Sequence, residues 1–339
     1  MASNITFRTH LLGSVTEFCQ NSDLATLQNS MNLVDLIVVL ARYQEEGLKL
    51  FPKVYLTNNI AEIIRMLPDS ESLKIGIAEK NAEGIKRSLK KCAPMAIGGW
   101  LVYINEMPEN IEYGIFKGSS NPTAVLADDV IMTPNDNLNI VKVFQVADDC
   151  VEIRANNGDF HYVFLSHRRE DDPPPLQHLD SLVESITTEV KIDNRPAVSS
   201  YLKRVLYESL VKTHGCIIAV TNMKRAPKAL SRDGVILEDP IDFEELIDKF
   251  RRDVISQSII DSKSHILSGM LNSDGIVLFD NRARILGYNI FVAISNNATA
   301  FGGARRRAFE SLKGTKNRGL CAIFMQSHDG WSEFSGGTQ

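Results

Sequence analysis

The chain has no apolar run long enough to cross a membrane. Its most apolar stretch, Leu33 to Ala41, is interrupted by Asp35 and closed by Arg42, far short of the roughly 20 residues a spanning helix needs. Met1 to Thr9 also lacks a basic segment followed by an apolar run, which predicts no cleaved export signal and a soluble, cytoplasmic protein. Cysteine is sparse: Cys19, Cys92, Cys150, Cys216 and Cys321 are odd in number and widely separated, with no Cys-x-x-Cys pair and no Cys/His cluster at zinc spacing. That excludes a disulfide framework and suits a reducing compartment. With 12 Pro and 21 Gly in 339 residues, disordered and collagen-like classes are excluded too. Basic charge is in deficit, since 37 Lys+Arg against 42 Asp+Glu leave a formal net charge of −5. This argues against an extended nucleic-acid surface, which needs a broad basic face, but leaves room for one small basic pocket.

What remains is an ordinary globular composition, 44% hydrophobic and 23% charged, on a chain long enough for two domains of about 150 residues each. The apolar positions Met31, Val34, Ile37, Val38, Ala41 and Leu48 predict an amphipathic helix over residues 27–50, stopped near Pro52. A strand at Val54-Tyr55-Leu56, a helix from Ile60 to Leu67 and a strand over residues 74–78 follow. From Trp100 to Leu165 strands dominate, at 100–104, 113–116, 141–146, 151–154 and 160–165, and Asn156-Asn157-Gly158-Asp159 supplies a hairpin turn between the last two. Residues 1–170 therefore read as an α+β domain.

The boundary falls where the charge run His167 to Asp172 meets Pro173-Pro174-Pro175, residues that can neither continue a helix nor donate to a sheet. We place a linker over 171–197, with helical segments at 176–188 and 198–212, and a second domain over 198–339. The overall class is α/β, the second domain having a central mixed β-sheet flanked by helices. Its expected strands include 216–220, 276–279, 284–288 and 320–325, with helices near 243–250 and 259–270.

The chemistry-bearing residues lie in this second domain. Two Asp-Gly dipeptides introduce apolar runs, Asp233-Gly234-Val235 and Asp274-Gly275-Ile276; either alone marks a turn. Gly302-Gly303-Ala304-Arg305-Arg306-Arg307 precedes an apolar helical segment, so backbone N–H groups and guanidinium forks meet at a helix start. That geometry suits phosphate, and equally reads as a solvated arginine face or a protein contact. His214 and His265 read as capping or partly buried structural residues, and His328-Asp329 as a turn or a site. Cys216 and Cys321 read as small core residues.

Taken together, Asp274-Gly275 before a hairpin and Gly303-Ala304-Arg305-Arg306-Arg307 at the following helix resemble the DisA-type diadenylate cyclase (DAC) domain, whose members carry Asp-Gly-Ala and Gly-Thr-Arg-His-Arg-Ala there. The resemblance spans residues 202–334, and the leading segment around Ala41 to Gly47 looks like the sensor domains found before DAC domains. It implies a nucleotidyltransferase that condenses two ATP into the second messenger cyclic di-AMP and two pyrophosphates, in a homo-oligomer whose DAC domains face one another. Asp274 would help deprotonate the attacking ribose hydroxyl and bind Mg2+ or Mn2+, with Asp329 as a second metal-side carboxylate. Arg305 and Arg307 would neutralise the triphosphate. Gly275, Ile276, Gly303, Ala304, Arg306 and Ser327 would line the nucleotide.

Three departures keep a second class open. Ile276, Ala304 and Arg306 stand where the family has alanine, threonine and histidine, and arginine cannot exchange a proton near neutral pH. A catalytically silent nucleotide or cyclic dinucleotide receptor is the alternative, and a scaffold without nucleotide affinity the third.

Overall fold

The computed structural model describes residues 7–22, 27–119, 121–124, 126–135, 138–166, 175–228, 230, 233–292, 303–313 and 319–336. The fold is α/β, and the chain divides into two compact units, Met1–Ser120 with Val125–Asp172, and Asn121–Ala124 with Pro173–Gln339. The charged part of the expected connector, 167–174, lies outside the described residues. No helix among the described residues is long and apolar enough to cross a membrane.

The first unit contains α1 (Phe7–Asn21), α2 (Leu27–Leu40), β1 (Gln44–Glu45), β2 (Leu48–Lys49), β3 (Val54–Thr57), α3 (Ile60–Met66), β4 (Glu71–Glu79), α4 (Ala82–Cys92), β5 (Leu101–Glu106), β6 (Asn110–Lys117), α5 (Ala127–Ile131), β7 (Ile140–Ala147), β8 (Cys150–Ala155) and β9 (Phe160–Phe164). Seven strands form one sheet in the order β4-β6-β5-β3-β7-β8-β9, with β3 and β5 parallel. Alternate residues serve opposite faces, as the pleat requires: Val54 and Leu56 join a cluster with α1, α2 and α4, whereas Tyr55 packs with Ile63 and Ile131 of α3 and α5. The helix expected over 27–50 ends at Leu40 instead. Glu46 and Gly47, at φ 50° and 83°, make a two-residue turn joining β1 to β2, a connection that needs positive φ at both positions.

The second unit contains α6 (Pro175–Thr187), α7 (Arg195–Leu210), β10 (Cys216–Thr221), β11 (Val235–Asp242), α8 (Phe243–Arg251), α9 (Gln257–Asn272), β12 (Ile276–Asp280), β13 (Arg284–Ile290), α10 (Ala304–Lys313), β14 (Leu320–Gln326) and β15 (Ser332–Gly336). The mixed sheet has the order β11-β13-β12-β10-β14-β15. One face carries Cys216, Ile218, Val277 and Phe279 against α6 to α9. The other carries Ile217, Ile276 and Ile323 against Phe309 and Leu312 of α10. Helix α6 falls inside the segment read as a linker, yet it buries Leu179, Leu182 and Ile186 in this unit's core. Its apolar spacing outweighs the prolines before it, because proline is tolerated in a helix's first turn.

A carboxylate in the first unit gives a direct test of acid sensitivity. Burial alone would raise the Asp128 carboxyl, but Lys142 (Nζ 2.8 Å away) and Lys53 (3.4 Å) hold it well below the usual carboxylate range. A depressed folded pKa contributes stability that is complete above the unfolded value, about 4, and is lost as the pH falls below it. Thermal unfolding between pH 6 and pH 3 should therefore show a steeper loss of Tm for the native chain than for Asp128→Asn. Parallel slopes would contradict the pairing.

Candidate functional site

Strand register gathers most of the residues singled out in the sequence at one end of the second unit's sheet. β10 and β12 run parallel, with Ile217 opposite Ile276, so Cys216 is level with Gly275. β14 is antiparallel to β10, with Cys216 opposite Gln326, and β13 is antiparallel to β12, with Ile276 opposite Ile290. The starts of β10 and β12 thus coincide with the ends of β13 and β14. Asp274, His214 and the turn Ser327-His328-Asp329 all flank this rim.

Asp274 lies just beyond α9, exposed to solvent. One carboxylate oxygen accepts the Gly275 N–H at 2.9 Å, and its backbone carbonyl accepts Asn289 Nδ2 at 2.9 Å. Gly275 has φ +93°, and a Cβ there would stand 2.9 Å from the Asn289 carbonyl carbon and 3.0 Å from Ile290 N. Only glycine fits this close approach of β12 to β13. At the far end of β12, the buried Asp280 accepts the backbone N–H groups of Arg282 and Arg284 and pairs with the Arg284 guanidinium at 2.6 Å and 2.8 Å. Both ends of the hairpin are thereby fixed. Asp233-Gly234 forms another turn at the same rim, where a Cβ on Gly234 would lie 2.6 Å from Ile290 Cα.

Helix α10 starts at this rim. Gly303, Ala304, Arg305, Arg306 and Arg307 are all exposed, and its first turn holds no acidic residue. Three cations therefore sit at the positive end of the helix dipole, an arrangement that costs a few tenths of a kcal/mol to about 1 kcal/mol each. Arg306 is offset by ion pairs with Glu333 of β15 and Glu310. Arg305 and Arg307 have no ion-pair partner among the described residues. Burial pushes the Cys216 thiol up to about 12, and the Arg305 charge pulls against the rise. Cys216 itself is a protonated core thiol, as its apolar surroundings suggested.

Other expected site residues take different places. Ile276, expected to line a nucleotide, is 2% exposed and packs in the cluster beneath α10, so its side chain is core. Ser327 and Asp329 close the turn between β14 and β15: Ser327 Oγ contacts the Asp329 carboxylate and stands 2.8 Å from the Trp331 carbonyl. Their first role is to fix that turn. A Cβ on Gly303 would meet nothing within 4 Å, so no contact among the described residues demands glycine there, and Gly302 lies outside the described residues.

Among the described residues no three His, Cys, Asp or Glu side chains gather as a metal cluster. Asp274 offers one exposed carboxylate at the rim, with one oxygen engaged by a backbone N–H; Mg2+ is commonly held by one or two carboxylates together with substrate phosphates. Sequence reasoning treated His214 and His328 separately. In the structure their Nδ1 atoms are 3.3 Å apart across 114 residues, a pairing that no local pattern announces. Compared with protein-family models and with curated protein sequences, the chain matches none.

The geometry predicts that Gly275→Ala lowers stability by more than about 1 kcal/mol, because positive φ and the Asn289 backbone both oppose a Cβ. Gly303→Ala, with open space around it, should shift stability by less. Urea unfolding of the two variants checks the order, and equal midpoints would contradict it.

Proposed function

We propose that the second unit binds a nucleoside triphosphate at this rim and, paired face to face with the same unit of another copy, condenses two ATP into cyclic di-AMP. The observation that supports this reading is that Asp274 flanks the rim set by the β10–β12 register, while Arg305 and Arg307 stand exposed in the first turn of α10 with no ion-pair partner among the described residues. An anion at the start of α10 would relieve the arginines' conflict with the helix dipole. The resemblance of these segments to the DAC domain supplies the reaction. Residues 1–170 are then regulatory.

In each half-reaction the ribose 3′-oxygen of one ATP attacks the α-phosphorus of the other. The O–P bond forms as the bond to the β-phosphate oxygen breaks, and pyrophosphate departs. Asp274 accepts or orients the hydroxyl proton. Arg305 and Arg307 neutralise the charge that grows on the leaving group. Asp274 would hold a Mg2+ or Mn2+ ion, which would supply further neutralisation of the phosphate charge. Two such steps, one in each direction, close the ring, so an isolated copy is inactive.

The second reading, a receptor without turnover, is favoured by Arg306. It replaces a titratable imidazole and is committed to Glu333 and Glu310, so it can move no proton. Incubation with the four ribonucleoside triphosphates and Mg2+ or Mn2+, followed by mass spectrometry, separates the readings. The enzyme reading expects a cyclic dinucleotide from ATP, with Asp274→Asn cutting turnover by at least about a hundredfold while nucleotide still raises Tm. Nucleotide binding without product establishes the receptor, and no stabilisation by any nucleotide overturns both.

A further inference from the structure

We infer that His214 and His328 form a chelating site for one borderline divalent cation of the Zn2+, Co2+ or Ni2+ class, at the same rim as Asp274. Two nitrogens bound to one tetrahedral ion at about 2.0 Å stand about 3.3 Å apart, and the two Nδ1 atoms are separated by 3.3 Å. The ring centroids are only 5.1 Å apart, with the planes inclined at 38°. Two imidazoles aiming these nitrogens straight at each other would hold their centroids farther apart. The lone-pair directions are therefore bent off the line between the nitrogens, which a shared ion requires and a linear hydrogen bond does not.

The backbone holds the pair in place. Gly215, at φ +93°, brings the chain so close to β14 that a Cβ would lie 2.6 Å from the Gln326 carbonyl oxygen and 3.0 Å from the Ser327 carbonyl carbon. Gln326 Nε2 donates to the Leu210 carbonyl at 2.8 Å, tying the end of β14 to the end of α7. The turn carrying His328 is closed by Ser327 N–H to the Trp331 carbonyl at 2.8 Å and Gly330 N–H to the Ser327 carbonyl at 3.1 Å. His214 and His328 are both exposed, so a cation reaches them without opening the fold.

The donor set selects the cation. Two imidazole nitrogens suit Zn2+, Co2+ and Ni2+ far better than Mg2+, which prefers oxygen. With two protein ligands the coordination is incomplete, and the open positions take water or an anionic oxygen. The chelate stands on ring geometry alone; that a substrate phosphate completes it rests on the nucleotide reading above.

The test titrates Co2+ into the full chain without nucleotide and reads its visible spectrum, which distinguishes nitrogen and oxygen ligation from thiolate ligation. One ion per chain with a nitrogen/oxygen spectrum is expected. His214→Gln and His328→Gln should each weaken binding by more than about tenfold, since loss of an outer-shell partner alone has that effect, while Asp274→Asn leaves it unchanged. Melting curves confirm that both histidine variants remain folded. No spectral change in the native chain, binding as tight as the native chain's in either histidine variant, or a thiolate spectrum would overturn the site. Because nucleotide is absent, failure to make a cyclic dinucleotide leaves this result untouched, and failure to bind Co2+ leaves the nucleotide reading untouched.

Discussion

The parallel register of β10 and β12 is the constraint on which the arrangement of the second unit's rim depends. It sets Cys216 level with Gly275, and two glycines with positive φ, Gly215 and Gly275, allow the neighbouring backbones to approach at the same rim. Asp274 is delivered by one of these approaches and the His214–His328 pair by the other. Side-chain packing alone would not align them. The buried strands, with Ile276 to Asp280 all enclosed, hold the register because a shift by one residue would turn their apolar set to the wrong face.

Against that rigid rim, the start of α10 is locally unfavourable. Local electrostatics would place acidic side chains in its first turn, and the chain places three arginines there instead. Arg306 is neutralised within the protein, whereas Arg305 and Arg307 are exposed and have no ion pair among the described residues. Departures from local preference of this kind concentrate at functional sites, where a ligand supplies the missing compensation. These two exposed charges are the ones the proposed nucleotide reading assigns to a triphosphate. The third charge, spent on Glu333, is what separates turnover from simple binding in the two functional readings.

Much of this arrangement is legible in the chain. Asp274-Gly275 ahead of an apolar run, the following hairpin and the glycine-led arginine helix stand where local pattern puts them. α6 was visible as apolar spacing, but the prolines before it suggested a connector. α1 and α4 are absent from the sequence expectations, although α4 carries a signal in the Asn81 side chain capping Gly84 N–H at 2.9 Å and in Ile85, Leu89 and Cys92 on one face. β15 escapes because Ser332 to Gly336 has one large apolar residue, Phe334, and its strand character comes from pairing with β14. The core position of Ile276 depends on which face of β12 meets α10, and the histidine pair on contact between chain segments 114 residues apart. Neither is a local property.

The most direct measurement is a crystal structure of the full chain with a non-reactive ATP analogue and Mg2+. The account predicts a triphosphate seated between the Asp274 carboxylate and the guanidinium groups of Arg305 and Arg307, above the starts of β10 and β12. A nucleotide bound elsewhere, with these three side chains touching only solvent, would contradict it.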